Sequence, residues 1–314
     1  MAKHKKFVGT AEGVQTPVDE VAEFAETQDA LVVEPSAEEA IAWAEKGEPA
    51  PSILAGTLNR ARGMGHLPDV EDARDWTARG MLGAPHNVPP EASLIGYVRT
   101  IHDQGSTNSC VGQALAMAID VRTRKIGLVK PEPSALAIYT MARALSREQA
   151  SEELLDFGTY PRNAMKALKE HGATREELWP FDLTKVNDEL PWDVMGDAAA
   201  GRVAAWYRVG TVGHDRAVDV ANALSKGFPV VFGTAVDERF VEFTGRDVFP
   251  AVGPNTNGGH MLCIVGYRMQ GSEYQFEIVN SWGTSWGFGG TFWASEAFVT
   301  DDRASDFYAI QVGE

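Results

Sequence analysis

An α+β domain of two lobes with a cleft between them is the architecture this sequence predicts, and three observations carry it. Apolar residues recur with a helical period from about residue 109 to 190. Past about residue 200 the chain turns to short apolar or alternating runs bounded by glycine and proline, as strands do. The changeover happens once, so helices and strands segregate rather than alternate.

The elements follow in order. Ala114, Leu115, Ala118, Ile119 and Val121 mark a helix that ends in Arg122, Arg124 and Lys125, with Gly127 just beyond. A second helix is expected from Pro133 to Leu145, and a third from Asn163 to Glu170, closed by Gly172. Strands are expected at Pro229-Val230-Val231-Phe232, from Met261 to Tyr267, from Tyr274 to Val279, and at Thr291-Phe292-Trp293.

At 314 residues with 44% hydrophobic content the chain can bury a sizeable core. Residues 11–50 stand apart, with eleven Asp or Glu and one basic residue, Lys46. Ser36-Ala37-Glu38-Glu39 has capping-box form and predicts a short helix there. Residues 1–65 therefore read as a leader, arm or pro-segment, and 66–314 as the working domain. Within the latter, about 96–190 forms the helical lobe and about 200–314 the β lobe.

The net charge of −16 argues against a nucleic-acid partner. The basic start, Met1 to Lys6, lacks the following apolar run of a signal peptide. Nothing approaches the ~18 apolar residues of a membrane span. Two cysteines give no disulfide framework, so a cytoplasmic or otherwise reducing compartment is expected. The seven histidines show no metal-ligand spacing, and no metal or other cofactor is implied.

Two stretches carry chemistry. In Asp103-Gln104-Gly105-Ser106-Thr107-Asn108-Ser109-Cys110 a polar loop delivers a thiol to a helix start, where the macrodipole favours thiolate. At this point Cys110 stands equally as core filler and as nucleophile. Cys263, inside Met261-Leu262-Cys263-Ile264-Val265, reads as core. The second stretch is a hairpin. With Met269-Gln270-Gly271 as a three-residue loop, His260 falls opposite Asn280; a two-residue loop would bring Ser281 there instead. An Asn beside an imidazole can hold one ring N–H and leave the other nitrogen to a thiol.

Together these pieces resemble the papain family of cysteine peptidases. Gln104 to Cys110 matches its Q-G-x-x-x-S-C, Gly259 to Tyr267 is similar to its histidine strand, and Asn280 to Gly290 matches N-S-W-G-x-x-W-G-x-x-G. Gly158 to Ala164 and Gly227 to Val230 are softer matches. The resemblance covers about 70–314. It implies a helical lobe bearing the nucleophile, an antiparallel barrel-like lobe bearing His and Asn, and peptide-bond hydrolysis through a thiolate–imidazolium pair and an acyl-enzyme. It casts Cys110 as nucleophile, His260 as acid–base partner, Asn280 as its orienter and Gln104 as oxyanion donor. It places Gly158, Thr159, Pro161, Gly259 and Trp282 around a peptide or protein substrate.

Thr107 stands where secreted members carry a half-cystine, and Val111 where a Trp is usual, a pattern closer to bacterial and bacteriophage members. Two other readings share the fold: a catalytically silent binding protein, and a thiol amidase or acyltransferase acting on a non-protein amide.

Overall fold

The computed structural model describes residues 62–147 and 153–313. The helix expected at 36–44 and nearly all of the acidic segment lie outside the described residues. Helix α1 (Ala78–Leu82) and strand β1 (Glu91–Ser93) come first, followed by α2 (Cys110–Lys125), α3 (Ala135–Ala144), α4 (Pro161–Glu170) and the short α5 (Trp192–Met195). Then come β2 (Val203–Arg208), α6 (Gly213–Ser225), β3 (Val230–Val236), α7 (Glu238–Val241), β4 (Gly258–Gln270), β5 (Glu273–Val279), β6 (Thr291–Ser295), α8 (Glu296–Val299) and β7 (Ser305–Val312). The papain-like two-lobed α+β architecture is present.

Helix α2 is buried on every side, with Leu115 and Ile119 fully enclosed, each contributing about 1.5–3 kcal/mol by burial. Its alanines and Gly112 let neighbouring backbone approach closely. Its charged residues are compensated: Asp120 pairs with Arg99 at 2.9 Å, and Arg122 lies over the Phe228 ring and donates to the Gly227 carbonyl. Helix α3 begins at Ala135 because the Ser134 hydroxyl accepts from the Ala137 N–H, leaving Pro133 outside. Helix α4 starts at Pro161, where a proline loses no helical hydrogen bond.

The β lobe is one antiparallel sheet in the order β2-β7-β3-β4-β5-β6, with β1 added alongside β4. Among the described residues it is open at β2 and β6 rather than closed. An aromatic cluster around Phe240 (Phe249, Trp282, Trp286, Phe292, Phe298) anchors the loop after β5 to this sheet.

The β4–β5 hairpin differs from its expected register. Met269 and Gln270 belong to β4, and the turn is Gly271-Ser272, with Gln270 paired to Glu273. A bulge between Ile264 and Gly266 then shifts the pairing again, so Cys263 faces Val279. Each departure moves the register by an odd number of residues. Their sum is even, so His260 and Asn280 keep a common face although they are not direct partners.

Candidate active site

Cys110 is the first residue of α2, and its thiol is fully enclosed. The loop before it is tied down locally: the Thr107 hydroxyl donates to the Gln104 carbonyl and meets the Ser109 hydroxyl at 2.7 Å. The Gln104 N–H donates to the Ser281 carbonyl at 2.9 Å, which joins this loop to the one carrying Asn280. The Ser281 hydroxyl donates to Gln104 Oε1 at 2.6 Å, which turns Nε2 the other way, into the cleft.

His260 Nε2 lies 2.8 Å from Asn280 Oδ1, and that oxygen also accepts the Ser281 N–H at 2.8 Å. An oxygen already accepting one N–H fixes the amide orientation. The Nε2–H of His260 is therefore the donor, and the ring's free lone pair sits on Nδ1, a buried atom with no hydrogen bond among the described residues. The Trp282 ring stacks on the imidazole at 4.6 Å and 28°, closing one side of the His–Asn contact to water. Sequence reasoning reached these four polar residues and Trp282. It did not find Ser281 as the group that aims both Gln104 and Asn280.

A strand of the chain itself fills the cleft. The Gly63 carbonyl accepts from Gln104 Nε2 at 2.8 Å, and the Gly65 N–H donates to Cys110 Sγ at 3.3 Å. The Thr159 N–H donates to the Gly65 carbonyl, the Leu67 N–H to the Thr159 carbonyl, and the His66 N–H to the Gly259 carbonyl. Arg62 donates to the Trp282 carbonyl and lies over its ring. Gly158, Thr159, Gly259 and Trp282 lie beside this segment, while Pro161 serves as the first residue of α4. The strap was not anticipated, although Gly63-Met64-Gly65 signals a close backbone approach. A Cβ on either glycine would fall 1.8 Å from a carbonyl oxygen of the cleft wall.

Enclosure acts on both groups of the pair. Enclosure pushes the Cys110 thiol up to about 11, with backbone N–H groups of Met261, Gly65 and Val111 offsetting this in part. Enclosure also lowers His260 to about 4, against the opposing effect of its hydrogen bond to Asn280. Burial disfavours the charged form of both groups in the occluded state and opposes the helix dipole.

Residues 91–300 match the family described as papain family cysteine protease. The chain belongs to that family. An uncharacterized peptidase C1-like protein of Acanthamoeba polyphaga mimivirus is 32% identical over 67% of this chain and 68% of its own length. Chicken cathepsin K is 27% identical over 68% of this chain and 58% of its own length. Among solved structures, xylellain, a cysteine protease from Xylella fastidiosa, superposes with a TM-score of 0.66 at 26% identity, over 81% of this chain and 97% of that one. A procathepsin L2 proteinase from Tenebrio molitor shares the fold at TM-score 0.66 and 17% identity, over 93% of this chain and 99% of that one. As a papain-family member the chain is a cysteine peptidase, a hydrolase.

Proposed function

We propose that this peptidase cleaves peptide bonds through Cys110 and that residues 62–67 hold it inactive until they leave the cleft. The observation that supports both parts is the Gly65 N–H seated on the Cys110 sulfur. Once the strap departs, water relieves the burial that disfavours charge on both groups, and the Cys110 proton passes to His260 Nδ1. The thiolate attacks the substrate carbonyl. Its developing charge rests on Gln104 Nε2, the donor that Gly63 now occupies, and on the Cys110 N–H. His260, oriented by Asn280, protonates the leaving amine and then draws a proton from water to release the acyl group.

The direction of the strap supports the inhibitory role. A substrate's acyl residues precede its reacting carbonyl, so they run past Thr159 toward Cys110. The strap runs the other way, from Gln104 past Cys110 to Thr159, and offers the sulfur an N–H instead of a carbonyl carbon. The strap is thereby protected from the nucleophile it covers. Peptide or protein substrates and a reducing compartment fit this reading, the latter because Cys110 and Cys263 are both free thiols. A bacterial or bacteriophage-type lineage fits the missing half-cystines.

The test is cleavage of a peptide library by full-length Gly65→Ala protein, with Gly65→Ala/Cys110→Ala as control. Cleavage by the first alone is expected; equal cleavage by both would exclude Cys110 as nucleophile.

A further inference from the structure

We infer that Asp156 is a positioning residue that clasps the loop delivering Cys110 to the segment that pairs with substrate backbone at Thr159. The inference rests on the peptidase reading and adds to it a residue that acts through the backbone on both sides of the cleft.

The two segments come from distant parts of the chain. Asn108 stands two residues before Cys110, and Asp156 two residues before Gly158 and three before Thr159. Neither stretch belongs to a helix or a strand, so no regular ladder of backbone hydrogen bonds fixes their spacing. Asp156 ties them in both directions. Its two carboxylate oxygens accept the Asn108 N–H at 3.0 and 3.1 Å, and Asn108 Nδ2 donates back to the Asp156 carbonyl. Burial works against the charged carboxylate, and Tyr139, Asn108 and Arg143 favour it. Bonds to a carboxylate are roughly twice as strong as neutral ones, which stiffens the clasp.

A third member comes from α3. The Tyr139 hydroxyl donates to Asp156 Oδ1 at 2.6 Å and accepts the Gly158 N–H at 2.9 Å. Its single proton is committed to the carboxylate, so its oxygen is left to receive the amide next to Thr159. One turn along α3, Arg143 donates to the Leu155 carbonyl at 2.8 Å and lies over the Tyr139 ring. Helix α3 lies close against α2, because a Cβ on Gly112 would fall 2.4 Å from the Ala135 carbonyl oxygen and 3.0 Å from Tyr139 Cβ. The Asp156 carboxylate thus joins the nucleophile's loop, the helix packed on the nucleophile's helix, and the substrate segment.

The clasp does not depend on the strap. The Met64 N–H occupies the other end of the Asn108 amide, at Oδ1, 3.0 Å away, whereas Nδ2 and the backbone N–H of Asn108 serve Asp156. When substrate replaces the strap, the clasp sets the distance from Thr159 to the Cys110 sulfur. Attack on a carbonyl tolerates little error in that distance, since a misplacement of about 1 Å can cost about 10²-fold.

The experiment compares two alkylation rates at Cys110 in full-length Gly65→Ala protein, followed by mass and peptide mapping. Chloroacetone reports the thiol alone. A peptidyl chloromethyl ketone carries the same reactive group but must align along Thr159 before it reacts. Asp156→Ala should lower the peptidyl rate by on the order of 10–100-fold. Its chloroacetone rate should stay level or rise, because the Asp156 charge disfavours thiolate at Cys110. Asp156→Asn keeps one acceptor oxygen and should lie between Asp156→Ala and the parent. Tyr139→Phe should lower the peptidyl rate alone, and combining it with Asp156→Ala should add little, since the two act as one unit.

A ratio of peptidyl to chloroacetone rates in Asp156→Ala equal to the parent's overturns the inference. So does a parallel fall of both rates, which marks a general loss of structure. Should Asp156→Ala fail to fold, the same ratio in Tyr139→Phe decides it. Hydrolysis of the matching peptide amide by the parent tests the peptidase reading separately. A peptidyl rate that depends on Asp156, without any turnover, would refute that reading and uphold the clasp. A parent that takes the peptidyl reagent no faster than chloroacetone would overturn both.

Discussion

Replacing Gly65 by alanine isolates the strap's control over the nucleophile. The new Cβ would lie 1.8 Å from the Asn108 carbonyl oxygen and 2.6 Å from its carbon. Those atoms belong to the loop that delivers Cys110 to α2, so the strap must retreat from the sulfur. With the strap seated the thiol stands near pH 11, which leaves about one thiolate in 10⁴ at pH 7, whereas an ordinary thiol at about 8.5 has about 3%. The difference in thiolate alone is about 300-fold, before any gain from pairing with His260 or from access. The assay is the iodoacetamide rate at Cys110, followed by intact mass and peptide mapping from pH 5 to 11. Wild-type protein should react slowly at neutral pH and climb about tenfold per pH unit until near 11, because a raised thiol pKa withholds thiolate below it. Gly65→Ala should react at least about 300-fold faster at pH 7 and hold its rate into the acid. Equal rates at pH 7 for the two proteins would refute the reasoning.

Further outcomes follow for activity and stability. In the Gly65→Ala background, Gln104→Ala should lower kcat by about 10²–10³ with a smaller change in KM, read by peptide-amide hydrolysis. Asn280→Ala in the same background should cost about 10–100-fold in kcat, less than the ~10²–10⁴ of the acid–base step itself, because His260 remains but loses its orienter. Cys263→Ser should leave the Cys110 alkylation rate unchanged, and native Cys263 should label only after denaturation, since it is enclosed within β4 and burial raises its pKa. Arg162→Ala takes from the enclosed Asp75 carboxylate its partner at 2.6 Å and leaves it Arg208 at 3.8 Å, and should cost about 1–3 kcal/mol in denaturant unfolding.

The legible parts of this molecule were those where local pattern and local structure agree. The polar loop before Cys110, the basic end of α2 and the Gly172 stop of α4 each describe one turn of chain, and they stand as expected. Helix α6 was readable but missed: Ala217, Val220, Ala221 and Leu224 give a buried stripe at helical spacing, yet its polar first turn obscured it. Strands β2 and β7 were missed because their partners are far away in sequence, so register arises from tertiary pairing. The His260–Asn280 contact was predicted through a wrong loop and survived because face, unlike register, depends on parity. The strap was hidden because its meaning lies in what it covers, across the whole fold.

The most direct test of the central claim is to quench full-length Gly65→Ala protein with acid during turnover of a slowly hydrolysed peptide ester and weigh it. The account predicts the added mass of the acyl group on Cys110, absent from Gly65→Ala/Cys110→Ala and absent from wild type over the same interval. Hydrolysis that proceeds with no adduct on Cys110, or with the same rate in the Cys110→Ala protein, would contradict it.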